Sequence, residues 1–303
     1  MKKAMKIWLM IAAILSVVGL TVCTISLVGV GFDFEKIDTV NGVTGVYYPD
    51  GEFDTVVAEL DTADIRFLSS EDGEVKVVCH EREDIRHSVL VQDGKLTIRE
   101  VDNRSWFEVL TGFYFGREEI TVYLPKDMVC GLNVETDTGD VTLDNVLTYD
   151  LVYIATDTGD ILLKNSSLGT TYLATDTGDI LLKNSSLGTT GLTTDTGEVV
   201  ISSVEFSGAL GIFTDTGDIE MKNMTAFWDL IIEADTGDIE FERIDARNIS
   251  IETNTGDVEG TLLSGKVFDV KTVTGDKEIP VSASGGACKI RTDTGDIKID
   301  IVK

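Results

Sequence analysis

The chain predicts an all-β fold: a parallel β-solenoid of about nine 19–20-residue coils with an N-terminal β cap, preceded by one transmembrane helix. Three observations carry this. A T-D-T-G-D signature recurs, with its glycine at Gly139, Gly159, Gly178, Gly197, Gly217, Gly237, Gly256, Gly275 and Gly295. Apolar residues alternate with period two on both sides of that glycine. No helical pattern appears anywhere in 128–303.

Successive glycines are spaced 20, 19, 19, 20, 20, 19, 19 and 20 residues apart. Segments 156–171 and 175–190 are identical, so whole coils have been duplicated. Five positions before the glycine stand Val134, Ile154, Leu173, Leu192, Ile212, Ile232, Ile251, Val270 and Ile290. Two after it every residue is Val or Ile except Lys277, and four after it all are apolar except Gly260. Such columns are what stacked half-buried strands require.

Parity locates the bends. Ile154 and Thr156 share a face, but Ile161 lies an odd number of residues further on, so the chain turns at Asp157–Asp160. Glycine is expected to supply a positive φ there, with Asp and Thr bonding the turn backbone. A second parity break falls around Gly169, and another bend is expected near Asn165–Ser166. Two or three strands per coil follow. The first threonine of T-D-T is in phase with the buried aliphatic residue, and Ala234 replaces it once, so it points inward. That argues against an ice-binding threonine array.

Residues 54–127 read as short strands forming an N-terminal cap, with Asp61-Thr62-Ala63-Asp64 as a degenerate signature and Pro125 at the boundary with the array. Trp106, Phe107, Phe113, Tyr114 and Phe115 crowd one stretch of it, as cap packing or as a partner patch. Residues 33–53 read as a linker. At the far end, Lys298, Asp300 and Lys303 are expected to blunt the edge of the last coil.

Lys2, Lys3 and Lys6 precede an uncharged run from Ile7 to Gly31, long enough to span a hydrocarbon core of roughly 30 Å. The basic flank places residues 1–6 in the cytoplasm, a helix over 7–32 in the cell membrane and the remainder outside. Cys23, Cys79, Cys130 and Cys288 have no metal-knuckle or redox spacing and are expected to be free thiols.

The formal net charge of −28 excludes a nucleic-acid role, which needs clustered cations. Acid is arranged in two ladders. One is Asp137, Asp157, Asp176, Asp195, Asp215, Asp235 and Asp293, interrupted by Asn254 and Val273. The other is unbroken: Asp140, Asp160, Asp179, Glu198, Asp218, Asp238, Asp257, Asp276 and Asp296. Either solvated turn carboxylates or a calcium ladder fits this spacing. No other cofactor is implied. His80 and His87 show no metal-ligand spacing, and no nucleophile or phosphate-loop motif occurs, so no catalytic residue is assigned.

The reiterated T-x-T-G-D-[IV], the hairpin-like Gln92–Ile98 and Ile120–Pro125 before the array resemble a bacterial putative adhesin family of unknown function, related to the LiaG-like envelope proteins. The resemblance spans residues 54–303 and implies a non-enzymatic β-solenoid at the cell envelope. Adhesion, scaffolding or stress sensing would follow, with an envelope protein or cell-wall glycan as partner. The alternatives are an extracytoplasmic carbohydrate-active enzyme, which needs one unique cleft, and a calcium-dependent binding module.

Overall fold

The computed structural model describes residues 41–106, 117–148 and 150–302, together with helical residues 12, 15–21, 24 and 28. Most of the expected membrane helix, with Cys23, lies outside the described residues. Among them no helix is long and apolar enough to cross a membrane. The rest is β structure, a parallel solenoid of about eight turns where the repeat count predicts about nine coils.

Each regular coil has three strands and three corners. In one, Val152–Thr158 leads through the glycine corner to Ile161–Lys164 and then to Ser167–Leu168. Coils stack in register, so like residues meet: Ile154 pairs with Leu173 and Val134, and Ile161 with Ile180 and Val141. These side chains are fully buried in one continuous apolar column. The exceptions are compensated locally. Gly260 lies beside Phe241, where a Cβ would meet the ring at 2.2 Å. Lys277 stands in the terminal coil, where it is exposed.

Stacking, more than backbone conformation, sets the first corner. Positive φ occurs at Gly178 and at later signature glycines, but not at Gly139 or Gly159. What they share is crowding: a Cβ would come within 2.4 Å of the neighbouring corner's carbonyl at Gly159 and 2.1 Å at Gly178. The inward threonines of the inner coils are buried as expected, and Thr175 and Thr194 donate to the carbonyls of Gly159 and Gly178 at 3.1 and 3.2 Å. The bend near Asn165 is real. Asn145, Asn165, Asn184, Ser203, Asn223 and Arg243 all take the left-handed conformation there, which Asn tolerates best.

The two ends depart from serial order. At the N-terminal end the strands are β1 (Gly42–Tyr47), β2 (Thr55–Leu60), β3 (Asp64–Ser70), β4 (Lys76–Arg82), β5 (Ile85–Gln92), β6 (Lys95–Asp102), β7 (Glu119–Pro125), β8 (Gly131–Thr136) and β9 (Val141–Asp144). β2 lies between β6 and β8, and β3 between β7 and β9. Asp61–Asp64 is therefore a true corner, one layer inside the end. β4 and β5 then cover the outermost layer by antiparallel pairing with β7 and β6. β1, within the segment expected as a linker, adds to β4.

At the C-terminal end the expected edge is corrected. Ala287–Thr294 inserts between the 249–255 stretch and Val267–Thr274. Ile297–Ile301 likewise inserts between Val258–Leu262 and Lys277–Glu278. Lys298 is thus internal and bonds Glu259 at 2.6 Å. The terminal layer is 267–278, because near-equivalent strands can exchange stacking order without changing their inward pattern.

Candidate functional site

The unbroken acidic ladder has a structural use. Asp140 Oδ1 accepts the amide of Asp160 at 2.9 Å, Asp160 that of Asp179 at 2.8 Å, and Asp179 that of Glu198 at 2.8 Å. The pattern resumes from Asp218 to Asp238, Asp257, Asp296 and then Asp276, following the exchanged order of the last coils. Asp64 starts it by accepting from Asp140 at 3.0 Å. Among the described residues no such bond runs from Glu198 to Asp218. These bonds stitch the corners together, and each leaves a second carboxylate oxygen free to meet solvent.

Of the aromatic stretch, Trp106 is exposed, whereas Phe107, Phe113, Tyr114 and Phe115 lie outside the described residues. The strands on either side of the stretch, β6 and β7, pair with β2 and β3.

Inside the cap, one ligand atom each from Cys79, Glu81 and His87 come within 4.8 Å of one another, a grouping that could hold a metal ion. Sequence spacing misses it because His87 arrives from the next strand. Both Glu81 oxygens are already engaged: Arg86 donates to one at 3.2 Å, and the His87 amide and Nδ1 contact the other at 2.7 and 2.9 Å. Burial, with the Glu81 charge, pushes the Cys79 thiol up to about 12. As built, this is a hydrogen-bonded pin between β4 and β5. Across the β5–β6 pair Glu100 faces His87. Burial, then the Asp61 and Glu118 carboxylates, raises the Glu100 pKa. Burial also keeps the free thiols Cys130 and Cys288 protonated, at about 11 and 12.

A distinctive surface feature lies at the third corner. Successive layers place Gly169, Gly188 and Gly208 there, then Trp228 and Arg247, then Gly286, with Lys266 outermost. The stack shifts register between Ala226 and Asp229, pushing Phe227 and Trp228 outward. They are 71% and 46% exposed and meet edge-to-face at 5.6 Å. The Arg247 guanidinium lies 5.1 Å over the Trp228 ring. Beside them runs an open cleft of about 790 Å³ whose lining includes Glu205, Thr225, Phe227, Asp245, Arg247 and Asn248.

Its floor is rigid. Lys266 is buried and donates to Asp245 Oδ1 at 2.5 Å, the Ala246 carbonyl at 2.7 Å and Ser264 Oγ at 3.0 Å. Three acceptors satisfy its three protons, which a buried ammonium requires. Asn248 bridges Asp229 and the Ala287 amide. The column in which glycine yields to Trp, Arg and Lys was visible in the repeat alignment. Its signal is the loss of the glycine that three earlier coils carry, where a Cβ on Gly188 would meet the Gly169 carbonyl at 2.7 Å.

The model of Toastrack DUF4097 matches residues 53–227 and 210–303. The chain belongs to that family. Solved structures similar to this Toastrack chain include a putative adhesin from Bacteroides fragilis NCTC 9343, at 13% identity, covering 86% of this chain and 97% of that one, with a TM-score of 0.47. Others are a putative adhesin from Parabacteroides distasonis ATCC 8503 (12% identity, 87% and 98% covered, TM-score 0.33) and a putative lipid binding protein from the same organism (12%, 88% and 98%, 0.26). No curated protein matches the chain.

Proposed function

We propose that this Toastrack protein is a non-enzymatic binding module of the bacterial envelope. In this reading the Ile7–Gly31 segment anchors it in the membrane, and the rod presents its third-corner groove to a cell-wall glycan. The observation that carries the proposal is the third corner at Phe227 and Trp228, where exposed aromatic rings stand beside a polar cleft. Aromatic faces with an adjacent guanidinium and hydrogen-bonding groups suit a sugar ring, whose faces are apolar and whose edges are polar. The family resemblance to adhesins supports a binding role. So does the state of Asp245, a cleft carboxylate already tied to Lys266 and Ser264 and thus a poor general acid or base.

Retention of the purified protein on isolated cell-wall glycan tests the reading. Native protein is expected to be retained and Trp228→Ala to lose at least about tenfold. Equal retention of the two would exclude the groove. Anchoring is tested separately, by membrane fractionation and protection of the 41–302 body from added protease in intact cells and spheroplasts.

A further inference from the structure

The two ends of the rod are unequally finished. β4, β5 and β1 cover the N-terminal end by antiparallel pairing. Among the described residues nothing pairs with the outer side of Val267–Thr274. Its inward residues Phe268 and Val270 are only partly buried, whereas their equivalents in inner coils are fully buried. Val267 and Val273 are 51% and 67% exposed on the same strand.

Backbone direction is set by one bond. The Val267 amide donates inward to the Gly286 carbonyl. Amide and carbonyl direction alternates along a strand, so Phe268, Val270 and Thr272 direct theirs to the open side. Lys277 Nζ, lying 3.5 Å from the Val270 carbonyl, marks that side.

We infer that this edge is the interface of a tail-to-tail dimer, formed by antiparallel pairing of 267–274 with the same strand of a second copy about a two-fold axis at Val270. Of the antiparallel registers, this one pairs the backbone groups, the charges and the exposed valines at once. Val270 faces Val270, and Phe268 faces Thr272, so all outward-directed backbone groups pair. Asp269 of each copy faces Lys271 of the other, giving two ion pairs. Val267 faces Val273, covering both exposed valines. Asp269 has room for this: its side chain is 74% exposed although it also contacts Arg291. A head-to-tail stack is blocked by the N-terminal cap, so the contact is isologous and closes at two copies. Lys271 and Lys277 discourage pairing with unrelated edges. The dimer places the two caps at opposite ends.

Sedimentation of the full chain in density-matched detergent tests this, with circular dichroism as the folding control. Native protein is expected to dimerise. Lys271→Asp sets four carboxylates along the seam and is expected to weaken association at least about tenfold. The exchange Asp269→Lys with Lys271→Asp restores opposite charges and is expected to restore the dimer. A monomeric native protein, a dimer insensitive to Lys271→Asp, or an exchange variant that folds but stays monomeric would each overturn the inference. Disulfide capture between Val267→Cys and Val273→Cys of two copies gives a second readout, because a non-hydrogen-bonded pair brings Cα atoms to about 4.5 Å.

Discussion

The duplicated coils at 156–190 and the coils at 217–266 share one apolar column but differ at the third corner. In the first pair, glycine lets neighbouring corners touch, and the surface is uniform. In the second, Trp228 and Arg247 replace the glycine, and the corner opens into a groove beside them. The core column tolerates the change because a register shift between Ala226 and Asp229 absorbs it. Repetition supplies stability along the whole rod. Departure from repetition supplies a distinctive surface, and it does so only where the inward residues stay unchanged.

The comparison can be broken most severely at a regular corner. Gly178→Ala would put a Cβ 2.1 Å from the Gly159 carbonyl, with φ near +156°. We expect a loss of about 3 kcal/mol or more in chemical denaturation, among the larger single-site effects. Leu173→Ala removes a fully buried side chain and should cost about 2–5 kcal/mol. Trp228→Ala should cost less than either in the same assay while abolishing glycan retention. Similar destabilisation by Trp228→Ala and Leu173→Ala would mean that the aromatic corner is structural.

A smaller effect separates the ladder's two uses. Asp160→Ala removes the bond to the Asp179 amide and should cost about 1 kcal/mol, the net worth of one hydrogen bond. Asp160→Glu should cost nearly as much, because Glu198 makes no such bond to its neighbour. Chelator and added calcium should leave the melting midpoint of native protein unchanged; a rise with calcium would favour the cation-dependent alternative.

The smallest effect is expected in the cap. The folded-state pKa of Glu100 is raised, chiefly by burial. The folded state therefore holds its proton more tightly than the unfolded chain does, and stability falls as pH rises through and above the ordinary carboxylate range. Glu100→Gln should flatten that slope. Its melting midpoint relative to native should rise between about pH 4 and pH 7. A pH-independent difference between the two proteins would show that Glu100 ionisation is not felt by the fold.

Much of this was legible in the residues. Parity between Ile154, Thr156 and Ile161 located the first corner, and the threonine side chain points inward as that parity requires. Asn165 marked the second corner. The reason for glycine was only half legible. Its positive φ is absent at Gly159, and crowding by a neighbouring coil is a property of the stack. The Cys79–Glu81–His87 grouping was hidden because its members meet across a hairpin; the change from glycine to Trp228 and Arg247 shows in the repeats, but the groove beside it depends on how the coils stack.

Period, corner and inward column are local, since each depends on which way one residue points relative to the next few. The sequence by itself determined those, and with them the all-β solenoid. Which strand stacks on which was decided only in three dimensions. The strands at 267–274 and 287–294 carry closely matching inward patterns, so either could follow 249–255. The tertiary structure placed the later one first, left the earlier one as the free edge, and moved Lys298 from the end of the chain to the interior of the stack.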